Sequence, residues 1–368
     1  MKMLVRGMLL CLCIGLLVIS TAIAQDEAVI TEYDNGWIAI SPGGDTMCAD
    51  GSPYTFFTRE GESDNLWIDF QGGGACWNGF TCPYTQGTYD STVNPEEPND
   101  NPAIAQSGLY NLSNPDNPLA DHDIVFVPYC TADVHMGDTV QRYQTLYSDI
   151  DVHHNGVNNA TAALSYAYEN YAEPESVFIS GCSAGSLGAE FWSSAIMSQY
   201  EGVRAAVFAD SAGGYRGDLS LQFTQWGTIE AIANALPALE GFEGLTPETL
   251  SFETFVSVPM AAFPDNVFTR YNTIADEVQI SFIGLSRTGF GYDEALPANL
   301  QELVDSGDNF ASYTAWGSQH CIIPFDNFYE YQVNGVRLRD WVAALAAGEP
   351  VETVACEDCE TPELFGGE

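Results

Sequence analysis

Residues 176–192 read Ser176-Val177-Phe178-Ile179-Ser180-Gly181-Cys182-Ser183-Ala184-Gly185-Ser186-Leu187-Gly188-Ala189-Glu190-Phe191-Trp192. An apolar run of strand type leads into Gly-x-Ser-x-Gly, and apolar residues at helical spacing lead out of it. Strand, G-x-S-x-G, helix is the context of a nucleophile elbow. There a serine sits on a sharp strand-to-helix turn, and a Cβ on its neighbours would collide. The turn also aims the first helical N–H groups at the place where an oxyanion would form. A plain structural turn uses the same five letters. The flanking strand and helix, a glycine-rich loop upstream and a lone histidine near the C-terminus favour the catalytic reading.

On either side of this stretch, apolar runs alternate with helical patterns. Residues 66–70 read as a strand ending at Gly72-Gly73-Gly74, and residues 123–128 as a second buried strand. Residues 155–171 have Val157, Ala160, Leu164, Ala167 and Tyr171 on one helical face. Further strands are expected at 202–209, 267–273 and 310–315, and a closing helix at 336–347, ended by Gly348. Strands alternating with helices predict an α/β fold of α/β-hydrolase type, with a mostly parallel sheet covered by helices on both faces. Residues 216–265 have helical patterns and no strong strand, and are expected to form a cap over the sheet's carboxyl edge, where ligands bind.

The first 24 residues read as a secretory leader: Lys2 and Arg6, an uncharged apolar stretch, then Ala22-Ile23-Ala24 before a start near Gln25. Residues 25–368 are expected to be one domain, secreted or periplasmic. No other segment is long and apolar enough to cross a membrane. Beyond the leader the chain has eight cysteines, an even number that suggests disulfides in an exported protein. Cys76/Cys82 and Cys356/Cys359 have the spacing to close short loops; Cys48 with Cys130 and Cys182 with Cys321 are then the candidate pairs, the alternatives being free thiols or other pairings. Cys356-x-x-Cys359 has zinc spacing, but no second pair accompanies it, so no metal is expected. Lys2 is the only lysine, and eight arginines face 51 acidic residues in the exported part. Nucleic acid and anionic membrane surfaces are therefore excluded as partners. Such an acidic surface suits secretion into salty water, where self-repulsion is screened.

A serine at neutral pH needs a base. In sheet hydrolases with an elbow serine the order is Ser, Asp/Glu, His. Of the five histidines, only His320 lies C-terminal to Ser183. The acid should follow a strand between the two. Asp276, after residues 268–275, and Asp210, directly after the 202–209 strand, both fit; Asp276 comes from the later strand and is better placed to reach His320. The oxyanion needs two backbone donors. Ala184, next to the nucleophile, is expected to be one, and the loop Gly72-Gly73-Gly74 after an early strand is expected to supply the other, the alternative being a plain tight turn. The exported chain has no P-loop lysine, which disfavours a nucleotide loop.

Gln71-Gly72-Gly73-Gly74-Ala75-Cys76-Trp77 resembles the glycine loop of the pectin acetylesterase and Notum family of carboxylester hydrolases. Gly181 to Gly185 resembles its nucleophile motif, residues 273–279 its acid segment and His320-Cys321 its base segment. Residues 128–138, Pro128 to Asp138, resemble a further family stretch near the active site. The resemblance implies a Ser183–His320–Asp276 triad with Gly73, Gly74 and Ala184 as oxyanion donors, no cofactor, and an acylated carbohydrate as substrate, of pectin or xylan type. Gly74-Ala75 stands where plant and animal members have a tryptophan, and the chain looks closer to bacterial members. Two other expectations compete: a long-chain deacylase, and a secreted carbohydrate-binding protein without activity.

Overall fold

The computed structural model describes residues 28–146, 148–356 and 363–364. The expected leader and Cys359 lie outside the described residues. The strands, in chain order, are β1 (Val29–Glu32), β2 (Trp37–Ser41), β3 (Phe56–Arg59), β4 (Asn65–Phe70), β5 (Asp123–Val127), β6 (Thr139–Gln144), β7 (Asp149–His154), β8 (Ser176–Cys182), β9 (Arg204–Asp210), β10 (Val267–Thr273), β11 (Phe310–Ala315), β12 (Tyr331–Val333), β13 (Val336–Arg337), β14 (Val354–Ala355) and β15 (Glu363–Leu364). The helices are α1 (Gly156–Asn170), α2 (Ala184–Gln199), α3 (Ser220–Trp226), α4 (Thr228–Ala235), α5 (Thr254–Ala262), α6 (Glu277–Ser286), α7 (Tyr292–Ser306) and α8 (Leu338–Ala347).

Ten strands form one sheet in the order β1-β2-β3-β5-β4-β8-β9-β10-β11-β14. From β1 to β5 every pairing is antiparallel. From β5 to β14 every pairing is parallel. The chain steps outward from β4 to β5 and later lays β8 on the other side of β4. That reversal opens a crevice outside the carboxyl ends of β4 and β8, the position where open α/β sheets bind ligands. β4 runs into the glycine loop and β8 into Ser183, so topology alone brings the two together.

The strands read as continuous apolar runs because both faces are buried. Leu66, Ile68 and Phe70 of β4, with Val177 and Ile179 of β8, join a core containing α1 and α2. Trp67, Phe178 and Phe208 point the other way, into a core with Leu338, Trp341 and Leu345 of α8. The period of two is present, but an apolar residue occupies each side of it.

The closing helix starts at Leu338, two residues later than the periodicity predicts. Asn334 (φ 53°) and Gly335 (φ 78°) form a tight turn that pairs β13 antiparallel to β12. An Asn-Gly turn favours this hairpin, and it takes Val336 and Arg337 into a strand.

The 216–265 stretch contains α3, α4 and α5 and no strand. Its last helix packs into the body, with Phe255 edge-on to Phe191 of α2 at 5.1 Å. Beneath it lies a buried ionic cluster. Arg270 of β10 donates from Nε and Nη2 to both carboxylate oxygens of Glu190 (2.6 and 2.9 Å) and from Nη1 to Glu253 (3.2 Å). All three side chains are at most 5% exposed. The cluster ties the elbow helix to β10 and to the start of α5. Arg270→Met would strand two buried carboxylates without a counter-charge. It is expected to lower unfolding free energy by about 3–5 kcal/mol, read from urea denaturation. A loss under about 1 kcal/mol would mean that water reaches the cluster and screens it.

Candidate active site

Ser183 sits between β8 and α2 with φ 57° and ψ −119°, a conformation rarely held by a residue with a side chain. Its N–H donates to the Asp210 carbonyl (2.8 Å), and its carbonyl accepts from Ser186 N–H (3.0 Å). A Cβ at Gly185 would be driven into the Phe70 carbonyl, so the elbow helix closes against β4 only with glycine there. A Cβ at Gly72 would meet Cys182 O and Ser183 Cβ. The glycine loop therefore lies directly against the elbow.

Gly73 and Gly74 have φ of 154° and 78°, and both are partly exposed. The loop is pinned on each side of them: Ala75 N–H donates to Thr88 O and Asp90 N–H to Gly73 O, both at 3.0 Å. Among the described residues no acceptor takes the N–H of Gly73, Gly74 or Ala184. Ala184 is the first residue of α2, where amides are unpaired within the helix.

The stem of the loop is fastened by Gln71, whose Oε1 accepts from Tyr129 N–H at 2.8 Å and whose carbonyl takes the Nε2–H of His135 at 2.8 Å. His135 is buried, and burial pushes its imidazole down to about 4, so the ring is neutral at working pH. His135 belongs to the 128–138 stretch. There Ala132, Val134 and His135 all have positive φ, which is uncommon and, for β-branched Val134, a true outlier. Tyr129 Oη accepts Val134 N–H (2.8 Å), Asp133 Oδ1 accepts His135 N–H (3.1 Å), and the Cys48–Cys130 disulfide anchors the base of the loop. These partners hold the three positive-φ residues in place, and Val134 lines the cavity beside Ser183. Residue patterns flagged this stretch only by resemblance; its dihedral strain has no sequence signature beyond the density of small and polar residues.

His320 lies on the loop after β11. Its Nδ1 is 2.7 Å from Asp276 Oδ2. Asp276 is fully buried and caps α6, its Oδ1 accepting the N–H groups of Val278 (3.0 Å) and Gln279 (2.9 Å). Gln279 Nε2 donates to Oδ2 as well, at 2.9 Å. A carboxylate with this many donors is fixed in place and holds the Nδ1–H tautomer of the ring, leaving Nε2 as the basic nitrogen. His320 Nε2 is buried and has no hydrogen-bond partner among the described residues.

Asp210, the other acid compatible with chain order, does not bond the imidazole. Its Oδ2 accepts the N–H groups of Ile322 (2.6 Å) and Ile323 (2.9 Å), and its Oδ1 accepts Ser211 Oγ–H (2.7 Å). Cys182 and Cys321 form a disulfide with Cα atoms 5.6 Å apart, joining the elbow to the His320 loop. Cys48–Cys130 and Cys76–Cys82 are bridged too. Among the described residues, Cys182, Cys321 and Asp210 are the one grouping with metal-ligand proximity. The two sulfurs there are bonded to each other, which leaves no thiolate pair for an ion.

An apolar cavity of about 40 Å³ opens at Ser183, walled by Trp77, Val134, Leu187, Trp226, Phe252 and Phe282. Trp226 donates its indole N–H to Cys76 O (2.8 Å), so α3 is latched to the loop that follows the glycines.

A model of the family described as Pectinacetylesterase matches residues 38–274. The chain belongs to the pectinacetylesterase family. It is accordingly a carboxylic ester hydrolase, and the mostly parallel sheet with helices on both faces is the α/β-hydrolase-like fold expected of such a member. The family match includes the glycine loop and Ser183 and ends two residues before Asp276, so it reaches neither Asp276 nor His320. No curated protein matches the sequence.

Proposed function

We propose that the protein is an exported serine esterase that removes acetyl groups from a polysaccharide of pectin or xylan type. In this reading Ser183 Oγ attacks the ester carbonyl while His320 Nε2 takes its proton. Asp276 orients the ring and stabilises the imidazolium. The N–H groups of Gly73, Gly74 and Ala184 hold the negative oxygen of the tetrahedral intermediate. His320 then protonates the departing sugar hydroxyl. Water, deprotonated by the same nitrogen, releases acetate and restores Ser183. Three disulfides among the described residues support export, because cytosolic thiols stay reduced.

The observation that most supports a small acyl group is the size of the cavity at Ser183. The space of about 40 Å³ is hemmed in by the bulky side chains of Trp77, Trp226, Phe252 and Phe282, which favours a short acyl group over a long one. An acetyl group has three heavy atoms, and a fatty acyl chain has several times that number. The test is a series of p-nitrophenyl esters from acetyl to palmitoyl, with acetate release from acetylated xylan and acetylated pectin. The expected result is a kcat/KM maximum at acetyl and a fall of at least tenfold by octanoyl, since overfilling a tightly walled pocket costs about 1–3 kcal/mol. A maximum at long chains would replace this reading with a lipid deacylase. No turnover of any ester would replace it with a binding protein.

A further inference from the structure

We propose that Asp210, acting with Ser211, is a positioning residue for the esterase reaction: it fixes the loop that carries His320 to the elbow that carries Ser183. The proposal rests on the assignment of His320 as the base.

The geometry is a clamp with two jaws. On the elbow side, the backbone carbonyl of Asp210 accepts Ser183 N–H (2.8 Å), and Asp210 is paired with Cys182 at the end of β8. On the histidine side, three successive amides after His320 end on Asp210 or its neighbour. Cys321 N–H donates to Ser211 Oγ (3.0 Å), and Ile322 and Ile323 donate to Asp210 Oδ2. Ser211 is held at φ 65° and its hydroxyl proton goes to Asp210 Oδ1, so hydroxyl and carboxylate act as one unit.

The residues before His320 are held from elsewhere. Ala275 N–H donates to Gly317 O (3.0 Å) and Thr273 Oγ–H to Gln319 O (2.9 Å), both from the segment that ends at Asp276. The acid segment thus fixes one side of His320, and Asp210 fixes the other. Only the Asp210 side also holds the nucleophile. Burial of this carboxylate is costly, and pushes its pKa up to about 6 against the opposing pull of its three donors and of His320. A carboxylate retained at such cost, with every donor on the His320 loop or on Ser211, is spent on the relative position of base and nucleophile.

The experiment measures kcat and KM for p-nitrophenyl acetate in Asp210→Ala, Asp210→Asn and Ser211→Ala, with wild type and Ser183→Ala alongside. Misplacing a base by about 1 Å costs on the order of 10²-fold. Asp210→Ala is therefore expected to lose about that factor in kcat, with KM within about threefold of wild type. Asn keeps an acceptor for the two amides, so Asp210→Asn should recover at least tenfold of the loss. Ser211→Ala removes the acceptor of Cys321 N–H and one of the three donors to the Asp210 carboxylate, keeps the two bonds from Ile322 and Ile323, and should lose on the order of tenfold in kcat while staying folded. It carries the test if Asp210→Ala does not fold.

Unchanged kcat in Ser211→Ala, or in a folded Asp210→Ala, would overturn the clamp. So would a loss in Asp210→Asn as deep as in Asp276→Asn, which would make Asp210 the acid itself. An inactive wild type, or an active Ser183→Ala, would instead overturn the esterase reading.

Discussion

Ser183→Ala is expected to lower kcat for p-nitrophenyl acetate by about 10⁶-fold, the scale seen when a triad nucleophile is removed. The size of the effect follows from the chemistry. Without Oγ no acyl-enzyme forms, and the remaining catalysis comes from the oxyanion donors and substrate binding. Alanine keeps the Cβ and the backbone groups that bond Asp210 and Ser186, and it suffers the unusual φ no more than serine does. The melting temperature should therefore stay within a few degrees of wild type, corresponding to less than about 1 kcal/mol. A folded variant within tenfold of wild-type turnover would dismiss Ser183 as the nucleophile. A burst of p-nitrophenol equal to the enzyme concentration, present in wild type and absent in the variant, would tie the effect to the acylation step.

Asp276→Asn is expected to cost about 10⁴-fold in kcat with the structure intact. That contrast is possible because Asp276 does two jobs with two oxygens. Oδ1 caps α6 through Val278 and Gln279, and an asparagine oxygen can do the same. Oδ2 faces His320 Nδ1, and there asparagine presents an NH₂. The ring must turn its Nδ1 lone pair toward that donor, which moves its proton to Nε2 and removes the base from the serine. The new NH₂ also meets the Gln279 amide, which now donates to Oδ2 and would have to rotate. Retained stability with collapsed kcat is the expected pair of results. A loss in stability with turnover preserved would mean that Asp276 is only the helix cap. Asp276→Ala should be worse in stability by about 1 kcal/mol, because it removes the cap as well.

The sequence by itself determined the elements whose signals are local. Residues 176–192 carry strand, turn and helix within one continuous run, and β8, Ser183 and α2 fall where that run places them. β4, β5, β9, β10 and β11 were legible because strands buried on both faces are unbroken apolar runs. His320 was singled out by exclusion, since no other histidine follows the serine, and its Nδ1 lies 2.7 Å from Asp276 Oδ2. The Cys182–Cys321 bridge followed from two adjacencies, one to each expected catalytic residue. The Asn334-Gly335 hairpin was also written locally, and its turn signal is readable once the helical pattern after it is not extended backward.

Tertiary structure alone decided the rest. β1, β2 and β3 join the sheet antiparallel through pairings that no residue within either strand announces. Asp210 and Asp276 both follow strands and both lie between Ser183 and His320. Which of them meets the imidazole depends on the loop after β11, where amides at 321–323 turn to Asp210 and the ring turns to Asp276. The cavity's 40 Å³ is set by side chains from the glycine loop, the 128–138 loop, α2, α3 and α6. The strain at residues 132–135 is stored in dihedral angles that hydrogen bonds from other segments enforce. The physical reason is the same in each case. Periodicity and turn chemistry act between neighbours in the chain, whereas which carboxylate meets the imidazole and the volume of a pocket are set by packing between segments tens of residues or more apart, where no local pattern reaches.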